Sequence, residues 1–177
     1  VPEYDDPYGL GDEVRLIHAP ERNSLVGLIN EALPQLNGEI IHLLGCGIEV
    51  TEHWTEPALV HFHDPEVAAV SPLVRHESGA TAGVALTVDG RRRAVTTNST
   101  AEISWLEELI SGPLLEAGFY HRDVLNALGG FDERVGDSHA DLDLGLAIAD
   151  LGLRTVLEPS LPVLLNQHNA SAIGGLG

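Results

Sequence analysis

Apolar positions recur along the chain in two rhythms, one near 3.6 residues and one in short unbroken runs. Over residues 24–36, Leu25, Leu28, Ile29 and Ala32 or Leu33 fall at helical spacing, and Asn23 or Ser24 stands where it can cap the free amides. This predicts a helix. Residues 39–44 read EIIHLL, too short for a helix and rich enough in aliphatic side chains for a buried, central strand. With a short strand at 14–18, the order is strand, helix, strand, whose crossover implies parallel pairing. A second helix is predicted over 52–62, capped by Thr51, and a strand over 67–74 that Pro72 interrupts.

The rhythm then changes. Segments 83–88 and 91–97 flank Asp89-Gly90, a hairpin turn signal. A strand at 114–121, a helix at 122–128, the turn GGFDE at 129–133 and a helix at 141–151 follow. Leu142, Leu146, Ile148 and Ala149 give the last helix its apolar face, Gly152 ends it, and a final strand occupies 153–157 before Pro159. The pattern predicts an α/β fold: a mostly parallel, Rossmann-like sheet flanked by helices, with a small antiparallel hairpin portion.

With 177 residues, no internal repeat and no Gly/Ser linker, one domain is expected over 1–177. Twenty-seven acidic residues against nine basic ones, all arginine, give a formal net charge of -18 and argue against a nucleic-acid partner. One cysteine, Cys46, excludes an internal disulfide and a multi-cysteine zinc site. No apolar stretch approaches the roughly 18 to 20 residues of a membrane span, so the expectation is a soluble, cytoplasmic chain.

The strand at 39–44 ends at Gly45-Cys46-Gly47. Open α/β sheets place ligands at such carboxyl ends. Yet this turn offers two glycines and a thiol. Elsewhere, His61 and His63 diverge on a helix and read as surface residues, and His42 as a sheet-face residue. Cys46 lacks a visible base to make it a nucleophile. Arg91-Arg92-Arg93 reads most simply as a solvated strand start, with a phosphate contact conceivable. Asp141 and Asp143 suit a helix amino terminus, where carboxylates interact well with the macrodipole.

Four segments carry a resemblance: GEIIHLL, GIEVTEHWTEPALVHF, DPEVAAVSPLV, and RDVLNALGGFDERVGDSHADLDLGLAIADLGLRTVLEPSLPVLLNQH. Together they resemble the family 2 glycosyltransferases over most of residues 20–169. The most specific part is GGFDE followed by Asp-x-Asp-Leu on a helix that ends in Leu-Gly-Leu-Arg. The resemblance implies a GT-A fold, a nucleotide-sugar donor, a glycan, lipid or protein acceptor, and a divalent cation, Mg²⁺ or Mn²⁺, on the diphosphate. In that family an Asp-x-Asp turn holds the cation, a later Asp is the base for the acceptor hydroxyl, and a late His joins the metal.

Carried over by position, Asp141 stands at the base, with Ala140 replacing its usual acidic neighbour, and His168 stands at the late His. Gly45 and Gly47 stand where the two metal-site aspartates belong, so the turn Gly45, Cys46 and Gly47 contacts substrate but lacks both carboxylates. Glu49 is the nearby carboxylate that could substitute as a metal ligand. Asp5 and Asp6 resemble an acidic pair ending an early strand and join Asn30 as candidate substrate contacts. The family's opening strand and helix would precede residue 1. Two alternatives stay open: a degenerate GT-A-like domain that binds sugar, nucleotide or a protein without chemistry, and a nucleotidyltransferase-like enzyme. The latter would want a Gly-rich, basic phosphate loop after its first strand.

Overall fold

The computed structural model describes residues 14, 15, 17, 24–98 and 105–165. The strand expected at 14–18 and the candidates Asp5, Asp6 and His168 lie outside the described residues. In chain order the elements are α1 (Leu25–Ala32), β1 (Ile40–His42), β2 (Ile48–Glu49), α2 (Glu56–His61), β3 (Val67–His76), β4 (Gly79–Leu86) and β5 (Arg92–Thr97). Then come β6 (Phe119–His121), α3 (Arg122–Leu128), α4 (Ala140–Asp150) and β7 (Arg154–Leu165).

Local chemistry sets several boundaries. The Ser24 hydroxyl accepts from the Gly27 amide, and the Asp137 carboxylate accepts from the amides of Leu25 and Val26 at 3.0 and 2.9 Å. A distant acid thus completes the cap of α1 where its dipole favours negative charge. α2 is shorter than the 52–62 predicted, because Pro57 belongs to a first helical turn and Thr55, not Thr51, is its N-cap. α3 ends at Gly129, whose φ of 78° is the left-handed conformation that stops a helix.

The sheet is mixed, which corrects the expectation of mostly parallel pairing. The strands run in the order β1-β6-β3-β4-β5, and β7 pairs with both β3 and β2. Among the described strands only β3 and β7 are parallel. β1, expected as a central parallel strand, stands at one end of that order and pairs antiparallel with β6, Ile41 opposite Tyr120. The apolar run misled for a specific reason: its last residue, Leu44, is exposed, and only three residues of the run extend as strand.

The centre is instead β3, ten residues long, whose first part lies between β6 and β7 and whose end pairs with β4. β3, β4 and β5 form a continuous meander. The predicted hairpin is present, with Gly90 at φ 78° in its turn, but β4 begins at Gly79, earlier than its hydrophobic pattern announced. β7 runs through Pro159 because its register against β3 jumps from Pro72↔Glu158 to Val74↔Val163. The proline therefore sits in a bulge, where it withholds no ladder hydrogen bond.

Alternation along the strands fills two layers. Ile41, Ala69 and Tyr120 pack with Val26 of α1, Leu125 of α3, Phe131 and Leu144 and Ile148 of α4. Val70, Val74, Phe119 and Val156 pack on the other face with Ala58 of α2. Helices thus flank both faces, as the strand-helix-strand order led us to expect.

Candidate functional site

The first turn of α4 carries Asp141, whose side chain is 2 % exposed. Glycine packing brings this helix close to the antiparallel part of the sheet. A Cβ on Gly145 would stand 2.3 Å from the Ser111 carbonyl oxygen, and one on Gly112 would stand 3.0 Å from that of Asp141. The 111–112 backbone is itself tied to β4, Val84 donating to Gly112 at 2.9 Å and Ser111 to Val84 at 2.7 Å. Helix, loop and β4 therefore form one close-packed unit.

Arg92, opposite Leu86 of β4 at the start of β5, reaches into that unit. Its Nε donates to Asp141 Oδ1 at 2.7 Å and its Nη2 to Oδ2 at 2.6 Å. The Leu142 amide also donates to Oδ1, at 2.8 Å. Both oxygens of Asp141 are thus engaged, in the bidentate geometry a guanidinium favours. The hydrogen bonds to Asp141 raise the Arg92 pKa, against burial. Arg92 is not the solvated strand residue its neighbours suggested. Strand alternation carried the signal, since Arg91 and Arg93 are exposed while Arg92 turns inward.

Glu116 connects this pair to the glycine turn, and the pattern of residues gave no notice of it. Residues 114–118, predicted as strand, form a turn closed by the Ala117 amide donating to Leu114 at 3.1 Å. The Gly45 amide donates to the Glu116 carbonyl at 2.8 Å, and a Cβ on Gly45 would meet the Glu116 Cβ at 2.7 Å. Burial pushes the Glu116 carboxyl above its ordinary value, the charges of Asp141 and Asp137 push it the same way, and Arg92 opposes them. Gly45, Glu116, Arg92 and Asp141 thus form one constellation. A lone carboxylate between the buried Leu115 and Ala117 was the available signal.

The other candidates fall elsewhere. Asn30 holds the GGFDE turn with both ends of its amide, Nδ2 donating to the Phe131 carbonyl at 2.8 Å and Oδ1 accepting from the Phe131 amide at 2.9 Å. A cavity of about 470 Å³ beside that turn is lined by Asn30, Asp132, Arg134 and Asp143, but not by Asp141, Arg92 or Glu116. Glu49 is exposed on β2, opposite Leu164 of β7. Cys46 is exposed, and Gly47 has a φ of 87°. His61 is no free surface residue: its Nε2 lies 2.8 Å from Glu158 Oε2. His42 stacks on Phe119 with ring centroids 3.8 Å apart, and its Nδ1 contacts the Gly118 carbonyl at 3.1 Å.

No protein-family model matches the chain. The chain is 28% identical over 163 residues to the pre-mycofactocin glycosyltransferase of Mycobacterium tuberculosis, a match that takes in 89% of this chain and 33% of that protein. A stretch of 62 residues, 35% of this chain, is 37% identical to polypeptide N-acetylgalactosaminyltransferase 12 of Mus musculus, covering 11% of it. Among solved structures the chain resembles the mannosyltransferase PcManGT from Pyrobaculum calidifontis in complex with GDP-Man and Mn²⁺. That likeness has a TM-score of 0.62 at 20% identity and covers 86% of this chain and 39% of the other. The fold matches that of a glycosyltransferase structure.

The chain spans about a third of the length of the curated M. tuberculosis relative. The Mn²⁺ belongs to the mannosyltransferase structure, so the donor set here is tested on its own residues. Mg²⁺ and Mn²⁺ want several hard oxygen ligands. Glycines at 45 and 47 offer no carboxylate, Cys46 is a soft ligand, and both Asp141 oxygens are held by Arg92. Among the described residues no group of three or more His, Cys, Asp or Glu is placed to hold a metal. The described residues do not fit the cation.

Proposed function

We propose that the chain is the donor-binding and base-bearing part of a glycosyltransferase of the family 2 type, moving a sugar from a nucleotide-sugar donor to a hydroxyl of a glycan, lipid or protein acceptor. The observation that carries this reading is the buried Asp141 carboxylate in the first turn of α4, linked through Glu116 to the turn at residues 45–47. In the reaction, Asp141 accepts the acceptor hydroxyl's proton while that oxygen attacks the anomeric carbon. The bond to the diphosphate breaks, and its electron pair leaves with the phosphate oxygen. Turn 45–47 approaches the donor with no side-chain bulk at Gly47, while the Gly45 amide stays on the Glu116 carbonyl.

Full-length protein titrated with nucleoside diphosphate sugars, with and without Mn²⁺, tests the class. Transfer to an acceptor panel then tests the base, where Asp141→Asn should lower the rate by about 10²- to 10⁴-fold, the usual contribution of general base catalysis. Failure of every nucleotide sugar to bind under either condition would remove the reading. Among the described residues no helix is long and apolar enough to cross a membrane.

A further inference from the structure

A diphosphate leaving group gathers negative charge, and the constellation around Asp141 meets it with two more acids, Asp141 and Glu116, and a turn without carboxylates to hold a metal. The cation that is bonded to Asp141, and whose charge also reaches Glu116, is Arg92. We propose that Arg92 is the counter-charge for the donor's diphosphate in this chain, binding it directly where other transferases place a protein-held divalent cation. The inference rests on the transferase reading above.

The geometry suits the exchange. The Arg92 side chain is 18% exposed, buried enough to strengthen its hydrogen bonds and open enough for an anion to reach it. Its planar fork already grips a carboxylate through Nε and Nη2, and the same fork matches phosphate oxygens. A diphosphate that draws the guanidinium toward itself loosens the bond to Asp141. The freed carboxylate oxygen then accepts the acceptor hydroxyl's proton as the acceptor oxygen bonds to the anomeric carbon, whose bond to the diphosphate oxygen breaks with its electron pair passing to the diphosphate. Donor arrival and base release become one event. The Arg92 side chain, at the start of β5 beside the solvent-exposed turn at Gly90, supplies the movement by rotation.

Calorimetric titration of the full chain with GDP and with UDP, in EDTA and in Mn²⁺, decides the matter. We expect one of these nucleotides to bind in EDTA nearly as tightly as in Mn²⁺, and Arg92→Gln to weaken it by at least about tenfold, the worth of one charged hydrogen bond. Asp141→Asn should tighten binding several-fold, because it releases the guanidinium. A merely structural pair predicts the reverse sign for Asp141→Asn, so this isosteric variant settles the question even if Arg92→Gln fails to fold. Binding that needs Mn²⁺ and ignores Arg92→Gln, or an Asp141→Asn that binds no tighter, would overturn the role of Arg92 and leave the transferase reading standing. Absence of binding by either nucleotide in both conditions would also overturn the role of Arg92, and the transferase reading falls with it only if every nucleotide sugar fails to bind as well.

Discussion

Gly45 and Glu116 occupy each other's space: a Cβ on Gly45 would stand 2.7 Å from the Cβ of Glu116. The glycine in the turn is therefore a packing requirement of this chain as well as the absence of a carboxylate. The Glu116 backbone also accepts the Gly45 amide at 2.8 Å, so the close approach is fixed from two sides.

The first prediction follows from that contact. Gly45→Asp should destabilise the fold by about 1 to 3 kcal/mol, the usual cost of forcing atoms into a packed site. The same change should gain no Mn²⁺ binding, since the new side chain must displace Glu116 before it can face a ligand. Gly47→Asp is strained in a different way, by its φ of 87°. Chemical denaturation of Gly45→Asp, alone and in a Glu116→Gly background that removes the opposing Cβ, checks the cause. Relief of the loss in the double variant is expected, and equal losses in both would mean the contact is not responsible.

The chain announced its elements better than their partners. Residues 141–151 and 122–128 read correctly as helices from their first-turn acids and terminal glycines, and the turn at Asp89-Gly90 was equally plain, but the apolar face of the first was misread: Leu146 and Ala149 are exposed and Leu144 is buried. Residues 39–44 were legible as a strand but not as one paired antiparallel with β6, because strand partners nearly eighty residues apart leave no local trace. The site shows the same division. Asp141 became a candidate through the family resemblance, whereas Arg92 and Glu116 became candidates only once the fold put them near it. An arginine run and a carboxylate in an apolar stretch are ordinary until something buried needs them.

Gly145 gives the second prediction. In an exposed helix Gly→Ala would stabilise by up to about 1 kcal/mol. Here the added Cβ would lie 2.3 Å from the Ser111 carbonyl oxygen and 2.9 Å from the Gly112 Cα, both backbone atoms that cannot rotate away. Gly145→Ala should therefore lower stability by about 1 to 3 kcal/mol. It should also push α4 from the 111–112 loop and lengthen the Arg92–Asp141 contact. A thermal melt at or above the wild-type value would refute the close packing.

Asn30 gives the third. Removing its amide leaves the Phe131 backbone without both of its side-chain partners, and Phe131 anchors the core at 3% exposure. Asn30→Ala should cost about 1 to 3 kcal/mol from the lost partners of partly buried groups. Nucleotide affinity of the folded variant should stay at the wild-type level, because the amide acts on the turn. A selective loss of donor affinity with unchanged stability would assign Asn30 to the substrate instead.

His42 gives the last, and its sign can be worked out. Burial lowers its pKa from 6.5 to about 4, opposed by the hydrogen bond to the Gly118 carbonyl. That bond makes Nδ1 the protonated nitrogen, and Nε2 is buried with no protein partner among the described residues. The ring is packed against Phe119 and Trp54, with the Trp54 centroid 4.5 Å away, so a second proton would bring charge into an aromatic cluster. Between pH 6.5 and about 4 the unfolded chain binds a proton at this residue that the folded chain refuses. Stability from this group is therefore complete above pH 6.5 and falls as the pH drops through the window toward 4, by on the order of 3 kcal/mol in all. His42→Phe keeps the stacking and removes the titration, so its stability should be flatter across that window, with the remaining acid loss confined to lower pH where carboxylates protonate. Denaturation midpoints measured from pH 4 to pH 8 for both proteins give the comparison. Parallel curves for wild type and variant would show that His42 is not the group that titrates.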